Sequence, residues 1–267
     1  MWNRQNLKEN AKVAFKRNYW KCVLVALILA IATSTGSAGS SAGQSAETIF
    51  SGEVSEIYMA PEDIMQEILP PGGISHSGSI AFTSILVVIV LIILVIGICV
   101  QFFLFGPLEI GCKNFFKANA YEQADLNKIT FGFQKDNYIK NATTMFLRNL
   151  YIALWSLLFI IPGVIKAYEY RIIPYILTDC PDMPRQEAFR ISKEMMRGNK
   201  MEAFLLDLSF LGWSLLAAIT CGIVGIFYVS PYVAATDAEL FIAIREEYFR
   251  GQREVQNENN TDYSGEN

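Results

Sequence analysis

Lys166, Glu169, Arg171, Tyr175 and Asp207 are the side chains of this sequence best placed to do chemistry, because all five fall inside or beside long apolar runs. A charge near mid-bilayer is costly unless it is paired or faces water, so such residues mark pathways, pockets or anchors. Four of the five lie in "IIPGVIKAYEYRIIPYILTD", Ile160 to Asp179, together with two prolines and two further tyrosines. Lys166 and Glu169, three apart, can pair on one helix face. Glu169 and Arg171, two apart, point to different sides, which argues against a tight catalytic pair. A helix begun at Gly163 puts Tyr168, Arg171, Tyr175, Thr178 and Asp182 along one face. It also sets Lys166 to Arg171 within about 12 Å of a hairpin tip, nearer the outer headgroups than the midplane. Asp207 belongs to the early part of a later span, and Glu109 and Asp237 lie near the inner ends of two others. These residues can line a polar pocket for a solute or lipid headgroup, or they can anchor helices at the interface.

Other chemistry is poorly supplied. The single histidine, His76, leaves no material for histidine-rich metal sites or histidine-dependent triads. "GPLEIGCKN" superficially resembles a phosphate loop, but Cys112 separates Gly111 from Lys113 and neither Ser nor Thr follows. Cys22, Cys99, Cys112, Cys180 and Cys221 are odd in number, widely spaced and without a CxxC pair, so they read as small apolar side chains. We therefore expect no catalytic, cofactor or metal site and no enzyme activity. A net charge of −4 gives no sign of nucleic-acid binding.

The elements that must position the charges are membrane helices. The 267 residues are 52% apolar and only 18% charged, with a mean hydropathy of +0.28; soluble domains are about 25% charged. Apolar blocks run from Cys22 to Ser34, Ile80 to Leu108, Asn149 to Asp179 and Leu208 to Thr236. The first block resembles a signal sequence, but an amphipathic segment with Leu7, Ala11, Ala14, Phe15 and Asn18 on one face precedes it, favouring an uncleaved span. Lysine and arginine fix orientation: residues 1–21 hold six, 113–148 six, 166–200 seven and 245–253 three, which accounts for all 22. The stretch 35–79 has no basic residue and six acids, so it is expected outside and the basic segments inside. Basic segments on both sides of the last two blocks call for each block to turn back, at Pro162-Gly163 and in "CGIVG", Cys221 to Gly225; the alternative is a single tilted span from Leu208 to Thr236 with an external C-terminus.

An internal match supports paired hairpins. Trp155-Ser156-Leu157-Leu158 recurs as Trp213-Ser214-Leu215-Leu216, Pro174-Tyr175 as Pro231-Tyr232, and Thr178-Asp179 as Thr236-Asp237. Between them "DMPRQEAFRISKEMMRGNK" reads as a basic amphipathic helix capped by Asp182 and stopped at Gly198-Asn199. Its cations Arg185, Arg190, Lys193, Arg197 and Lys200 are expected at headgroup level, near anionic lipid.

The expected fold is all-α: a polytopic bundle of six spans in three hairpins, the last two an internal repeat, with interfacial amphipathic helices. Residues 1–20 form a cytoplasmic amphipathic helix and 21–108 a first hairpin with an external loop at 35–79. A cytoplasmic connector follows at 109–145, a second hairpin at 146–180, an interfacial helix at 181–200 and a third hairpin at 201–250. Residues 251–267 form a disordered polar tail.

The segments "AFRISKEMMRGNKMEAFLLDLSFLGWSLL" and "PYVAATDAELF" resemble the bacterial integral-membrane family catalogued as domain-of-unknown-function family 975, common in Firmicutes. The likeness extends to "LKENAKVAFKRNYWKCVLVALI", "FGPLEIGCKNFF" and "LWSLLFIIPGVIKAYEYRIIPYILTD". It implies a six-span membrane protein and supplies no catalytic residues. More distantly, the hairpins are similar to the membrane domain attached to some glycerophosphodiester phosphodiesterases; this sequence has no counterpart of their hydrolase domain, so none of their activity is implied. The expected function is a multi-pass protein of the bacterial plasma membrane, both termini cytoplasmic, that organises lipids or partner proteins. Its expected partners are the bilayer, anionic headgroups and a membrane protein. The alternative is a small transporter or lipid-handling protein with a polar pocket between the repeated hairpins.

Overall fold

The structure, a computed structural model, describes residues 2–34 and 76–264. Most of the expected external loop lies outside the described residues. Within them the chain is helical, without a strand. Helix α1, Arg4–Arg17, is capped by Asn3, whose side chain accepts the N–H of Gln5. Its apolar face of Leu7, Ala11, Ala14 and Phe15 is buried, and it packs mainly on the last helix of the chain. The amphipathic pattern at the N-terminus is thus satisfied by protein. Asn18 interrupts the helix and α2, Tyr19–Ser34, follows; the Asn18 amide donates to Asn119 Oδ1 at 3.0 Å and to the Ala124 carbonyl at 2.9 Å.

Helix α3, His76–Val100, passes through a π-turn at Gln101–Phe105 into α4, Gly106–Tyr121. Pro107 explains the π-turn. Proline lacks an N–H and its ring collides with the carbonyl four residues earlier, here that of Phe103. The wider turn relieves the collision, and the freed Phe103 carbonyl accepts the Tyr138 hydroxyl at 2.5 Å. The same device recurs at Gly225–Val229, just before Pro231, where the Phe227 carbonyl accepts the Tyr19 hydroxyl at 3.1 Å. A 3-10 segment, Leu126–Phe133, folds back along α4. The two approach so closely that a Cβ on Gly111 would lie 1.8 Å from the Ile129 carbonyl oxygen.

Helices α5, Tyr138–Leu158, and α6, Ile160–Glu169, form a helical hairpin. Its break is at Phe159, in extended backbone (φ −154, ψ 138), not at Pro162-Gly163. Proline fits the first turn of a helix, where its missing N–H has no partner to lose, so Pro162 marks a beginning instead of a bend. Gly163 serves contact: a Cβ there would fall 2.3 Å from Ser156 Oγ on α5. After a bend at Tyr170–Ile172 come α7, Ile173–Asp179, and α8, Arg185–Met195. The N-cap position of α8 is Pro184 and no side chain caps the helix, so Asp182 does not serve that role.

Helices α9, Lys200–Leu208, and α10, Leu211–Ile219, are nearly continuous. The chain then turns at Thr220–Gly222, where Cys221 (φ 50) and Gly222 (φ 82) adopt left-handed backbone. The closing helix α11, Ser230–Ser264, runs through most of the segment expected to be a disordered tail; residues 265–267 lie outside the described residues. Gln252, Arg253, Glu254 and Gln256 are good helix formers, and no proline intervenes to stop a helix already nucleated by packing.

Among the described residues two helices are long and apolar enough to cross a membrane, Ser84–Tyr121 and Lys200–Ile219. The core gathers Phe15, Cys22, Phe115, Met145, Tyr175, Leu206, Phe210 and Phe241, all nearly inaccessible. The apolar extremities are exposed instead: Ile85 to Ile93 and Val95, Ile96 and Ile98 on α3, Leu157 to Ile161 at the α5–α6 turn, and Leu211, Leu215 and Ile219 on α10.

Candidate functional site

Helix α4 carries the organising charges. Glu109, Lys113 and Lys117 recur every four residues, so they rise along one face. Each meets a charge from elsewhere in the chain. Glu109 receives Arg148 of α5 at 2.8 Å, with both side chains buried. Lys113 pairs with Asp237 of α11, and Lys117 with Asp179 of α7 at 2.6 Å. The two matched Thr-Asp dipeptides therefore present their aspartates to lysines one turn apart. Each threonine bonds back to the carbonyl of a matched tyrosine: Thr178 to Tyr175 at 2.7 Å, Thr236 to Tyr232 at 2.8 Å.

The second cation of each aspartate comes from the other side of the match, Arg171 from within the first segment and Arg245 from two turns beyond the second. Arg171, just before α7, donates through Nε to Asp237 at 2.7 Å. Arg245 of α11 donates to Asp179 at 2.7 Å and to the Tyr121 hydroxyl at 2.8 Å. Arg171 also grips Asp207 of α9 with both terminal nitrogens, at 2.7 and 2.9 Å. The Tyr168 hydroxyl donates to Asp207 at 2.7 Å, and Tyr175 to Asp237 at 3.1 Å. Tyr175 is inaccessible, stacked on Phe241 with ring centroids 4.9 Å apart and near the Lys113 ammonium.

The candidate residues thus divide into two groups. Arg171, Tyr175 and Asp207 join one network that ties α4, α7, α9 and α11 together. Lys166 and Glu169 form a second: Lys166 and Lys200 both hold the Glu169 carboxylate, the latter at 2.9 Å, while its backbone carbonyl accepts Ser192 of α8 at 2.7 Å. A carboxylate held by two cations, or by an arginine fork and a hydroxyl, has few lone pairs left for a substrate proton. What this arrangement does well is neutralise buried charge across helix seams. Arg148 Nε and Asn141 Oδ1 are exceptions, buried without a hydrogen-bond partner. Among the described residues no three acids, cysteines or histidines gather as a metal would require.

The basic helix also divides. Arg190 lies between Glu187, 2.9 Å from its Nε, and Glu194 at 2.7 Å. The Arg190 hydrogen bond holds the Glu187 carboxyl below its ordinary range. Lys200 belongs to Glu169. Arg185, Lys193 and Arg197 are exposed, with no ion-pair partner among the described residues. The apolar side of α8 is covered within the chain: Ala188 and Met195 are buried, and the helix packs on α7 and α11.

Sequence reasoning placed Glu109 and Asp237 only as helix ends and missed Lys113, Lys117, Arg148, Asp179 and Arg245 as members. The signal was the four-residue spacing of charges on α4, between apolar neighbours. No curated protein and no solved structure matches the chain. Residues 160–247, which carry Arg171, Asp179, Asp207, Asp237 and Arg245, match the family described as "Protein of unknown function (DUF975)".

Proposed function

We propose that this is a multi-pass protein of a bacterial plasma membrane, six spans in three hairpins with both termini inside, that organises anionic lipids or partner proteins along its inner rim without chemistry of its own. The observation that carries this reading is the division of charge. The buried charges are spent on one another across helix seams, while Arg185, Lys193 and Arg197, with Lys12 and Lys16 of α1, stand exposed. Depth along the helices agrees. From the turn at Phe159 down to Arg171 is about 18 Å, from Thr220 to Asp207 about 20 Å and from Gly222 to Asp237 about 22 Å. In a hydrocarbon layer about 30 Å thick, tips at the outer surface leave the network in the inner half.

The test is lipid retention. The detergent-purified protein, offered equal phosphatidylglycerol and phosphatidylcholine, should hold the anionic lipid preferentially by native mass spectrometry. Each of Arg185→Gln, Lys193→Gln and Arg197→Gln should weaken that preference by about 1 kcal/mol. A triple variant with the wild-type preference would contradict the reading. A second reading, a small transporter or lipid-handling protein, draws on the Lys113–Asp237–Arg171–Asp207 network itself. It requires one of those pairs, or the separate Lys166–Glu169–Lys200 cluster, to open to a solute, so Arg171→Ala or Glu169→Gln would abolish solute binding while folded protein persists.

A further inference from the structure

Three clefts on the surface differ in their charge. One between α8 and α11 includes Glu194, Arg197 and Glu247; another along α11 includes Arg245, Glu246 and Arg253. In both, carboxylates stand beside the cations. The third, about 410 Å³, lies between the start of α5 and the start of α8. Its walls are Ile139, Lys140, Thr143, Pro184, Arg185 and Gln186: two cations and no carboxylate. Neither Asp182 nor Glu187 lines it, and Glu187 is already engaged by Arg190.

The donors in this cleft match a phosphate. Arg185 is exposed, with no ion-pair partner among the described residues, and a guanidinium fork suits two phosphate oxygens at once. The Lys140 ammonium gives one hydrogen bond to the Pro181 carbonyl, which fixes it in place and leaves two protons to donate. Thr143 donates to the Ile139 carbonyl at 2.6 Å and so contributes no donor to the ligand. Ile139, 61% exposed, puts an apolar side chain at the edge of the cleft. A free phosphate gains nothing from that edge, whereas a lipid places its glycerol and acyl stem there.

We propose that this cleft holds the phosphodiester of an anionic phospholipid, gripped by Lys140 from α5 and Arg185 from α8. The proposal rests on the inner-rim reading above, which sets the cleft at headgroup level, and adds a defined site to a diffuse attraction.

The experiment is a native mass-spectrometric titration of the full chain in detergent with phosphatidylglycerol, phosphatidylcholine and inorganic phosphate. The wild type should show one saturable phosphatidylglycerol adduct. Lys140→Gln with Arg185→Gln should weaken it about 30-fold, on the scale set by each cation near anionic headgroups. Lys128→Gln with Lys135→Gln, exposed cations outside the cleft, should leave that adduct in place, and the charge-keeping pair Lys140→Arg with Arg185→Lys should retain most of it. A saturable adduct undiminished in Lys140→Gln/Arg185→Gln overturns the cleft but not the rim. A wild type indifferent between the two lipids overturns both. Displacement of the lipid by millimolar inorganic phosphate overturns the lipid as the source and leaves a phosphate site.

Discussion

Removing Arg171 or Asp207 singly should hurt far more than removing both. Arg171→Met leaves Asp207, 16% exposed at its side chain, with Tyr168 and no cation. Asp207→Leu leaves Arg171 and Lys113 sharing Asp237, an excess positive charge in the seam. Breaking a buried pair costs about 3–5 kcal/mol, because the surviving charge stays desolvated and unpaired. The side chains here keep 16–18% exposure, so the lower end applies, about 3 kcal/mol each. The double variant keeps a balanced Lys113–Asp237 pair; it leaves one Asp237 oxygen without its donor and the half-buried Tyr168 hydroxyl without its acceptor, at about 1–3 kcal/mol. Additive behaviour would give about 6 kcal/mol, so the coupling between the two sites should reach about 3–5 kcal/mol. The assay is the fraction of detergent-solubilised protein that stays monodisperse by size exclusion after heating. At about 2–4 °C per kcal/mol, each single should lower the midpoint by about 10 °C and the double by less. A double variant at least as labile as the two losses summed would refute the idea that these charges exist to neutralise one another.

Two further outcomes follow from packing. Gly163→Ala should lower thermal stability by about 1–3 kcal/mol, because the new methyl meets Ser156 at 2.3 Å, whereas Gly97→Ala, with nothing within 4 Å, should be neutral in the same assay. Phe15→Ala should cost about 3–5 kcal/mol and Val13→Ala close to nothing, since Phe15 is 2% and Val13 66% exposed; equal losses would mean that α1 is not docked on the bundle.

Much of the helical layout was legible because hydropathy and charge report solvent, and solvent is what a membrane helix responds to most strongly. The left-handed turn at Cys221-Gly222 and the Lys166–Glu169 pair both fall where local spacing puts them. The partners of Arg171 were not legible. Asp207 and Asp237 lie on two separate later helices, and no local rule joins residues so far apart in sequence. Pro162 misled in an instructive way: a proline inside an apolar run reads equally as a bend or as a first turn, and the choice depends on Gly163 meeting Ser156 across the hairpin. The reach of α11 past Gly251 was hidden for a related reason, since polar composition alone does not show that a helix is already nucleated upstream.

Accessibility of Cys221 and Cys180 tests the membrane arrangement most directly. Both thiols are free and exposed, one at the turn after α10 and the other just after α7, whereas Cys22 and Cys112 are buried. In single-cysteine proteins, a membrane-impermeant maleimide applied to intact cells should label Cys221 and spare Cys180, and inverted vesicles should give the reverse. Labelling of both from the same side would contradict a bundle whose helix turns and basic rim face opposite surfaces of the membrane.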